Sequence, residues 1–244
     1  MENISLLDLP VELLHKIFYY VNASTTFRSL RYVCKQFYVM TNTVSVFRLN
    51  SDSIKESDYR FISRIIQPDM IRSLILFGGY SDRSQIEYFL SHFKIDQFTQ
   101  LHSLLIHDIF DSELKKILEH IASLPLETLS IGSRRRSWDY IKMLSLILPA
   151  IAKLNLRKLF LKEFDFNISL TSWSIIQCPI KHLTIDECKN VNYRIILSHL
   201  PHLKIFIMRH CINNDDDNNQ QTSFSDHHTS EKPSGKKARS IVVK

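Results

Sequence analysis

The sequence predicts an α/β chain in which a short helical module precedes a solenoid of repeated strand–helix units with parallel strands, followed by a disordered C-terminal tail. Three observations carry this reading. A pattern of the form L-x-x-L-x-L recurs between residues 71 and 208, at intervals close to those of a solenoid repeat. Between its copies lie stretches with helical periodicity. At Asn213 the composition turns abruptly polar. The chain has 244 residues, 44% hydrophobic and 23% charged, enough to bury a sizeable core.

The first element is written in LDLPVELLHKIF, residues 7 to 18. Leu13, Leu14, Ile17, Phe18 and Val21 recur at helical spacing and form a wide apolar stripe with two edges. Pro10 suits a first helical turn, where its missing N–H is no loss. Glu12 adds a carboxylate near the positive end of the helix dipole. After NASTT a second pattern follows, with Phe27, Leu30, Val33, Cys34 and Phe37 on one helical face and Ser24 as its predicted N-cap.

The repeats come next. The pattern reads Ile71, Leu74, Leu76, then Leu101, Leu104, Ile106, then Leu126, Leu129, Ile131. It continues as Leu156, Leu159, Leu161, as Ile180, Leu183, Ile185 and as Leu203, Phe206, Met208. Val44, Phe47 and Leu49 form a degenerate first copy. Central positions are 30, 25, 30, 24 and 23 residues apart. QIEYFLSHF, ELKKILEHIASL and YIKMLSLIL read as the intervening helices. Strand then helix, repeated, predicts parallel strands with right-handed crossovers, each unit burying its apolar face against its neighbours.

From Asn213 onward almost no apolar residue is present until the last few positions, so residues 213–244 are expected to be disordered. The net charge of +6 belongs to the body, because the tail carries five acids and five bases. Apart from Arg134, Arg135 and Arg136 the body's bases are scattered among acids, which argues against a dedicated nucleic-acid stripe. Lys236, Lys237 and Arg239 form a short basic group of the kind that nuclear import reads. Glu2 and Asp8 stand where a signal peptide wants bases, and no run of about 18 apolar residues occurs, so a soluble protein of the cytoplasm and/or nucleus is expected. Cys34, Cys178, Cys188 and Cys211 include no CxxC pair. Structural thiols are therefore expected, and neither a metal nor a cofactor.

Two resemblances add to this. The arrangement L-P-x-E-L-L-x-x-I-F-x-x-V, then F-x-x-L-x-x-V-C-K-x-F from Phe27, closely resembles an F-box over about residues 4–44. Phe37 stands where many members carry Trp. The recurring runs resemble leucine-rich repeats, with Cys188 and Cys211 where that family places an Asn or Cys after the strand. The predicted domains are an F-box at 1–44, a leucine-rich-repeat solenoid at 45–212 and the tail at 213–244. The first resemblance implies a three-helix module docking on the small Skp adaptor of a cullin-RING ubiquitin ligase. Adaptor contacts are then expected from Leu9, Pro10, Leu13, Leu14, Ile17 and Phe18, with Val33, Cys34 and Phe37 from the second pattern. The sequence does not sort these between partner and module core.

The strand register places Ile75, Phe77, Leu105, His107, Phe160 and Ile207, among others, on the face opposite the buried leucines. That face is apolar for a solvated surface, which points to a protein substrate contacting Phe77, Leu105, Phe160 and Ile207. Arg134, Arg135, Arg136 and Trp138 are added as loop candidates. Motifs of enzymes are absent: there is no GxSxG, P-loop or HExxH, and His15, His102 and His107 show no carboxylate or nucleophile partner in the sequence. The expected role is a non-catalytic substrate receptor of an SCF-type ligase. A ligase-independent leucine-rich-repeat scaffold or inhibitor is the alternative.

Overall fold

The computed structural model describes residues 6–43, 47–78, 85–132, 140–165, 179–189, 200–212 and 239–242. The N-terminal module contains α1 (Val11–Tyr20), α2 (Ala23–Arg28) and α3 (Lys35–Thr43). Pro10 precedes α1 as its N-cap, one place before the first helical turn, and its carbonyl accepts from Leu13 and Leu14. The second apolar pattern, expected as one helical face, is broken: α2 stops at Arg28, a 3-10 turn spans Leu30–Tyr32, and α3 starts at Lys35. Cys34 restarts the helix, its sulfur accepting the Phe37 N–H at 3.4 Å. Ser24 is not the N-cap of α2; Asn22 holds that place, and Ser24 is buried in the first turn.

The body is a sheet of eight strands in chain order: β1 (Phe47–Asn50), β2 (Ile71–Phe77), β3 (Ser103–His107), β4 (Thr128–Gly132), β5 (Lys158–Asp165), β6 (His182–Lys189), β7 (Ile205–Ile212) and β8 (Arg239–Val242). The first seven pair in parallel. Helices α4 (Glu56–Ile65), α5 (Gln85–His92), α6 (Asp111–Ile121) and α7 (Tyr140–Ala152) lie between β1 and β5 in the chain. The last three answer to the predicted helical stretches. The sequence reading had no counterpart for α4, whose buried Tyr59 and Ile62 are set among charged and polar residues with Phe61 and Ile65.

Register explains why the spacing in sequence varied while the strands align. Leu49, Leu74, Leu104, Leu129, Leu159, Leu183 and Phe206 are successive cross-strand partners, each 0% exposed. Insertions between copies fall in the connections, so the ladder is undisturbed. Burying each such side chain contributes roughly 1.5–3 kcal/mol, which makes this row the sheet's principal stabilising line. The strand entries repeat as well: the N–H groups of Thr128, Lys158, His182 and Ile205 donate to the carbonyls of His102, Glu127, Arg157 and Lys181. Cys188 and Cys211, expected just after their strands, lie within β6 and β7 as register partners.

One part of the tail departs from the expected disorder. Residues 239–242 form β8, antiparallel to β7, with Phe206 opposite Ile241. The physical reason is local composition: the polar tail ends in a β-favouring Ile-Val-Val, and β7 would otherwise present an unpaired edge. Among the described residues, no helix is long and apolar enough to cross a membrane.

Candidate functional site

Helix α1 carries two apolar rows separated by about 100° of rotation, since successive helical residues turn by that angle. Leu14 and Phe18, four apart, form the inner row and are 0% and 1% exposed. The Phe18 ring meets Phe37 edge-on at 5.7 Å, so α1 and α3 share an aromatic contact. Leu13 and Ile17 form the outer row, at 43% and 36% exposure. The nine residues expected at an adaptor are thereby divided. Leu14, Phe18 and Phe37 are taken up by the module's own core. Leu9 and Cys34 are half-buried against it. Pro10, Leu13, Ile17 and Val33 face outward.

The exposed set extends beyond that expectation. Nine of the twelve large apolar side chains exposed among the described residues lie between Leu6 and Val39, including Val11, Tyr20, Tyr32 and Val39. Such concentration on one small module is what a docking surface requires. A shallow apolar depression of about 580 Å³ lies between α1 and α3, lined by Val11, Lys35, Gln36, Val39 and Met40. Val11 and Val39 were legible as apolar, but their exposure at 45% and 52% was not.

The module is joined to the sheet. The Asn22 side chain accepts the Asn50 N–H at 3.1 Å and donates to Ser24 Oγ at 2.9 Å and to Ser53 Oγ. Asn22 also bridges Arg48 through the backbone. Phe27 packs on Phe47 with ring centroids 5.0 Å apart, and Arg28 pairs with Asp58 of α4. Leu14, Phe47 and Leu74 belong to one continuous hydrophobic core. These contacts tie the N-terminal module to β1 and α4 through one shared core.

On the face of the sheet opposite the buried leucines, three lanes cross the strands. The central lane runs Ile75, Leu105, Ser130, Phe160, Thr184, Ile207 in register. Its four apolar members are all half-buried. One flanking lane contains Lys158 beside His182, and the other contains Phe77, His107, Gly132 and Lys162. Phe77 stacks on His107 at 5.8 Å, and Phe160 leans on His182 at 5.3 Å. Burial, and then the charge of Lys158, pull the His182 pKa below its ordinary value. Of the expected substrate contacts, Phe77, Leu105, Phe160 and Ile207 share this face. Arg134, Arg135, Arg136 and Trp138 lie outside the described residues.

His107 does have a carboxylate partner, contrary to the sequence reading. Its Nδ1 is 2.8 Å from Oδ2 of Asp108, which is wholly buried and holds a left-handed backbone with φ 53°. Adjacency in sequence gave no signal of this, because neighbouring strand residues normally point to opposite faces; the left-handed turn brings the carboxylate back. Among the described residues the His107 side chain hydrogen-bonds to Asp108 alone. The arrangement orients the ring, with Nε2 beside Gly132.

No group of three or more metal-ligating side chains occurs among the described residues. No curated protein matches the chain. The F-box-like family matches residues 6–49, which reaches into β1 and covers all three helices of the module. F-box domains generally bind small Skp-type adaptors, and the N-terminal module of this chain is an F-box-like domain.

Proposed function

We propose that this chain is the substrate-recognition subunit of an SCF-type ubiquitin ligase. The F-box-like module docks on a Skp adaptor and through it on a cullin, while the strand repeats, a leucine-rich-repeat solenoid in this reading, hold a protein substrate. The observation that carries it is the match of residues 6–49 to the F-box-like family together with the outward row of Leu13, Ile17 and Val33. Burying a few such side chains at a partner is enough to dominate docking. The chain itself does no chemistry and needs no cofactor. It raises the effective concentration of a substrate near the ligase's other subunits, in the cytoplasm and/or nucleus. The junction at Asn22 and Phe27 supports the same reading, because it ties the docking module to the strands that hold a substrate in this reading.

The test is co-purification with a Skp adaptor. Wild-type chain is expected to bind, and a Leu13→Asp, Ile17→Asp double variant is expected to lose binding while keeping its circular dichroism spectrum. If the folded wild-type chain ignores the adaptor at micromolar concentration, the reading is wrong and a ligase-independent scaffold takes its place.

A further inference from the structure

The last strand joins the sheet differently from the others. The first seven strands follow one another in parallel, whereas β8 is antiparallel to β7 and pairs with Ile205–Met208 alone, four of the eight residues of that strand. Among the described residues no strand pairs with the outer edge of Arg209–Ile212. Residues 213–238 connect the two strands, 26 positions in the sequence, where an antiparallel hairpin uses about two to five. The local concentration of a tethered segment falls roughly as the −3/2 power of the connection length. A connection this long therefore holds β8 about tenfold more weakly than a short turn would.

The edge that β8 covers has a definite polarity. The Ile205 N–H donates inward, to the carbonyl of Lys181 at the entry to β6, at 2.9 Å. Backbone groups alternate along a strand, so the N–H and C=O of Phe206 and Met208 are directed to the outer edge. In the observed register they face Ile241 and Arg239, which makes these two the hydrogen-bonded pairs, while Ser240 opposite Ile207 is not one. Phe206 is wholly buried on the core side of the sheet, and Ile205 on the other face keeps 39% of its surface open.

We propose that the outer edge of β7 is a strand-addition site for an extended segment of another protein, with β8 as its tethered resident. The segment that fits runs antiparallel to β7, fills up to eight positions, and carries β-branched apolar residues opposite Ile205 and Phe206. β8 offers such residues at Val242 and Ile241 but fills four positions, so a longer strand makes backbone pairs that β8 does not. Main-chain bonds then set the affinity and the two apolar positions the selectivity. A second copy of this chain is the poorer occupant, because it brings the same four-residue strand without the tether. The site lies at the opposite end of the strand order from the F-box-like module and does not rest on adaptor docking.

The probe is a fluorescein-labelled octapeptide, Thr-Val-Thr-Thr-Arg-Ser-Ile-Val, whose last four residues copy β8, titrated against the full chain by fluorescence anisotropy. An Ile241→Pro variant of the full chain vacates the edge, since proline removes the N–H that pairs with Phe206. The variant is expected to bind the octapeptide about tenfold or more tighter than wild type does, with an unchanged circular dichroism spectrum. The tetrapeptide Arg-Ser-Ile-Val is expected to bind about tenfold more weakly than the octapeptide. N-methylation of the peptide's Ile, whose N–H is directed at β7, is expected to abolish binding, whereas N-methylation of its Ser, whose N–H points away, weakens it about threefold or less. Hydrogen exchange at the Phe206 and Met208 amides is expected to quicken in the variant and to slow again with peptide. Equal affinity for wild type and variant, binding to neither, tolerance of the N-methyl-Ile peptide, or protection regained elsewhere overturns the proposal. So does dimerisation of the Ile241→Pro chain without peptide in sedimentation, which would make a second copy the occupant.

Discussion

Replacing Gly78 with alanine tests how the end of β2 is held against the turn that orients His107. A Cβ on Gly78 would stand 2.0 Å from the Asp108 carbonyl oxygen, 2.8 Å from its carbonyl carbon and 3.1 Å from Ile109 Cα. All three are backbone atoms, so no change of rotamer makes room and the two chain segments must part. Parting them disrupts the Gly78 N–H bond to the His107 carbonyl at 2.9 Å. Loss of that bond costs about 0.5–1.5 kcal/mol and the overpacking about 1–3 kcal/mol, for a destabilisation of about 2–4 kcal/mol. Gly132→Ala is the internal control. Its Cβ would meet Lys162 Cβ at 3.2 Å and the His107 ring at 3.3 Å, a crowding that asks a shift of a few tenths of an ångström where Gly78 asks two backbones to part. A change under about 1 kcal/mol is expected there. Urea unfolding followed by far-UV circular dichroism reads both variants, with midpoints compared at unchanged slope. Equal losses in the two variants, or a Gly78→Ala effect within about 0.5 kcal/mol of wild type, would refute the claim that backbone crowding makes glycine necessary at this point.

Within the docking module, Leu14→Ala is expected to cost about 2–5 kcal/mol because it empties a fully buried site, while Leu13→Ala costs under about 1 kcal/mol and weakens adaptor binding; unfolding curves and a pull-down separate the two effects. Asn22→Ala removes the acceptor of the Asn50 N–H and should destabilise by about 1–2 kcal/mol. Faster hydrogen exchange at Asn50 is the local readout, and unchanged protection there would show that the junction is held by packing alone. Lys158→Met is expected to move the His182 titration upward, toward its ordinary value, as followed by the imidazole proton resonances. The sign follows from linkage: a folded-state pKa below the unfolded one gives stability that is present above the ordinary histidine range and lost as pH falls through the folded value. The variant should flatten that dependence, and an unmoved His182 titration would show that Lys158 does not set it.

The repeats were legible because a buried parallel ladder demands the same apolar spacing from every strand, whatever the length of the connections. Leu74, Leu104 and Leu129 are therefore found from sequence and meet in the sheet. The apolar residues of the N-terminal module were legible as a set, and its likeness to an F-box was carried by residue type and spacing together. Their division was not. Leu13 and Leu14 are the same residue type one place apart, and only the placement of α3 and β1 decides which is covered. The break after Arg28 was missed because α2, the turn and α3 together preserve the apolar spacing of a single helix.

Local sequence also determined which strand residues point away from the core, since alternation is a property of one strand. What those residues form together was decided in the tertiary structure. Lys162 and His107 are 55 positions apart in the chain and flank Gly132 because β3, β4 and β5 are in register. Asp108 turns back beneath His107 because a left-handed residue closes the strand. The pairing of residues 239–242 with β7 likewise depends on a free edge that exists once the preceding strands have assembled. Periodicity is encoded within each segment, whereas the chemistry of a surface depends on distances between segments, and those are set by packing.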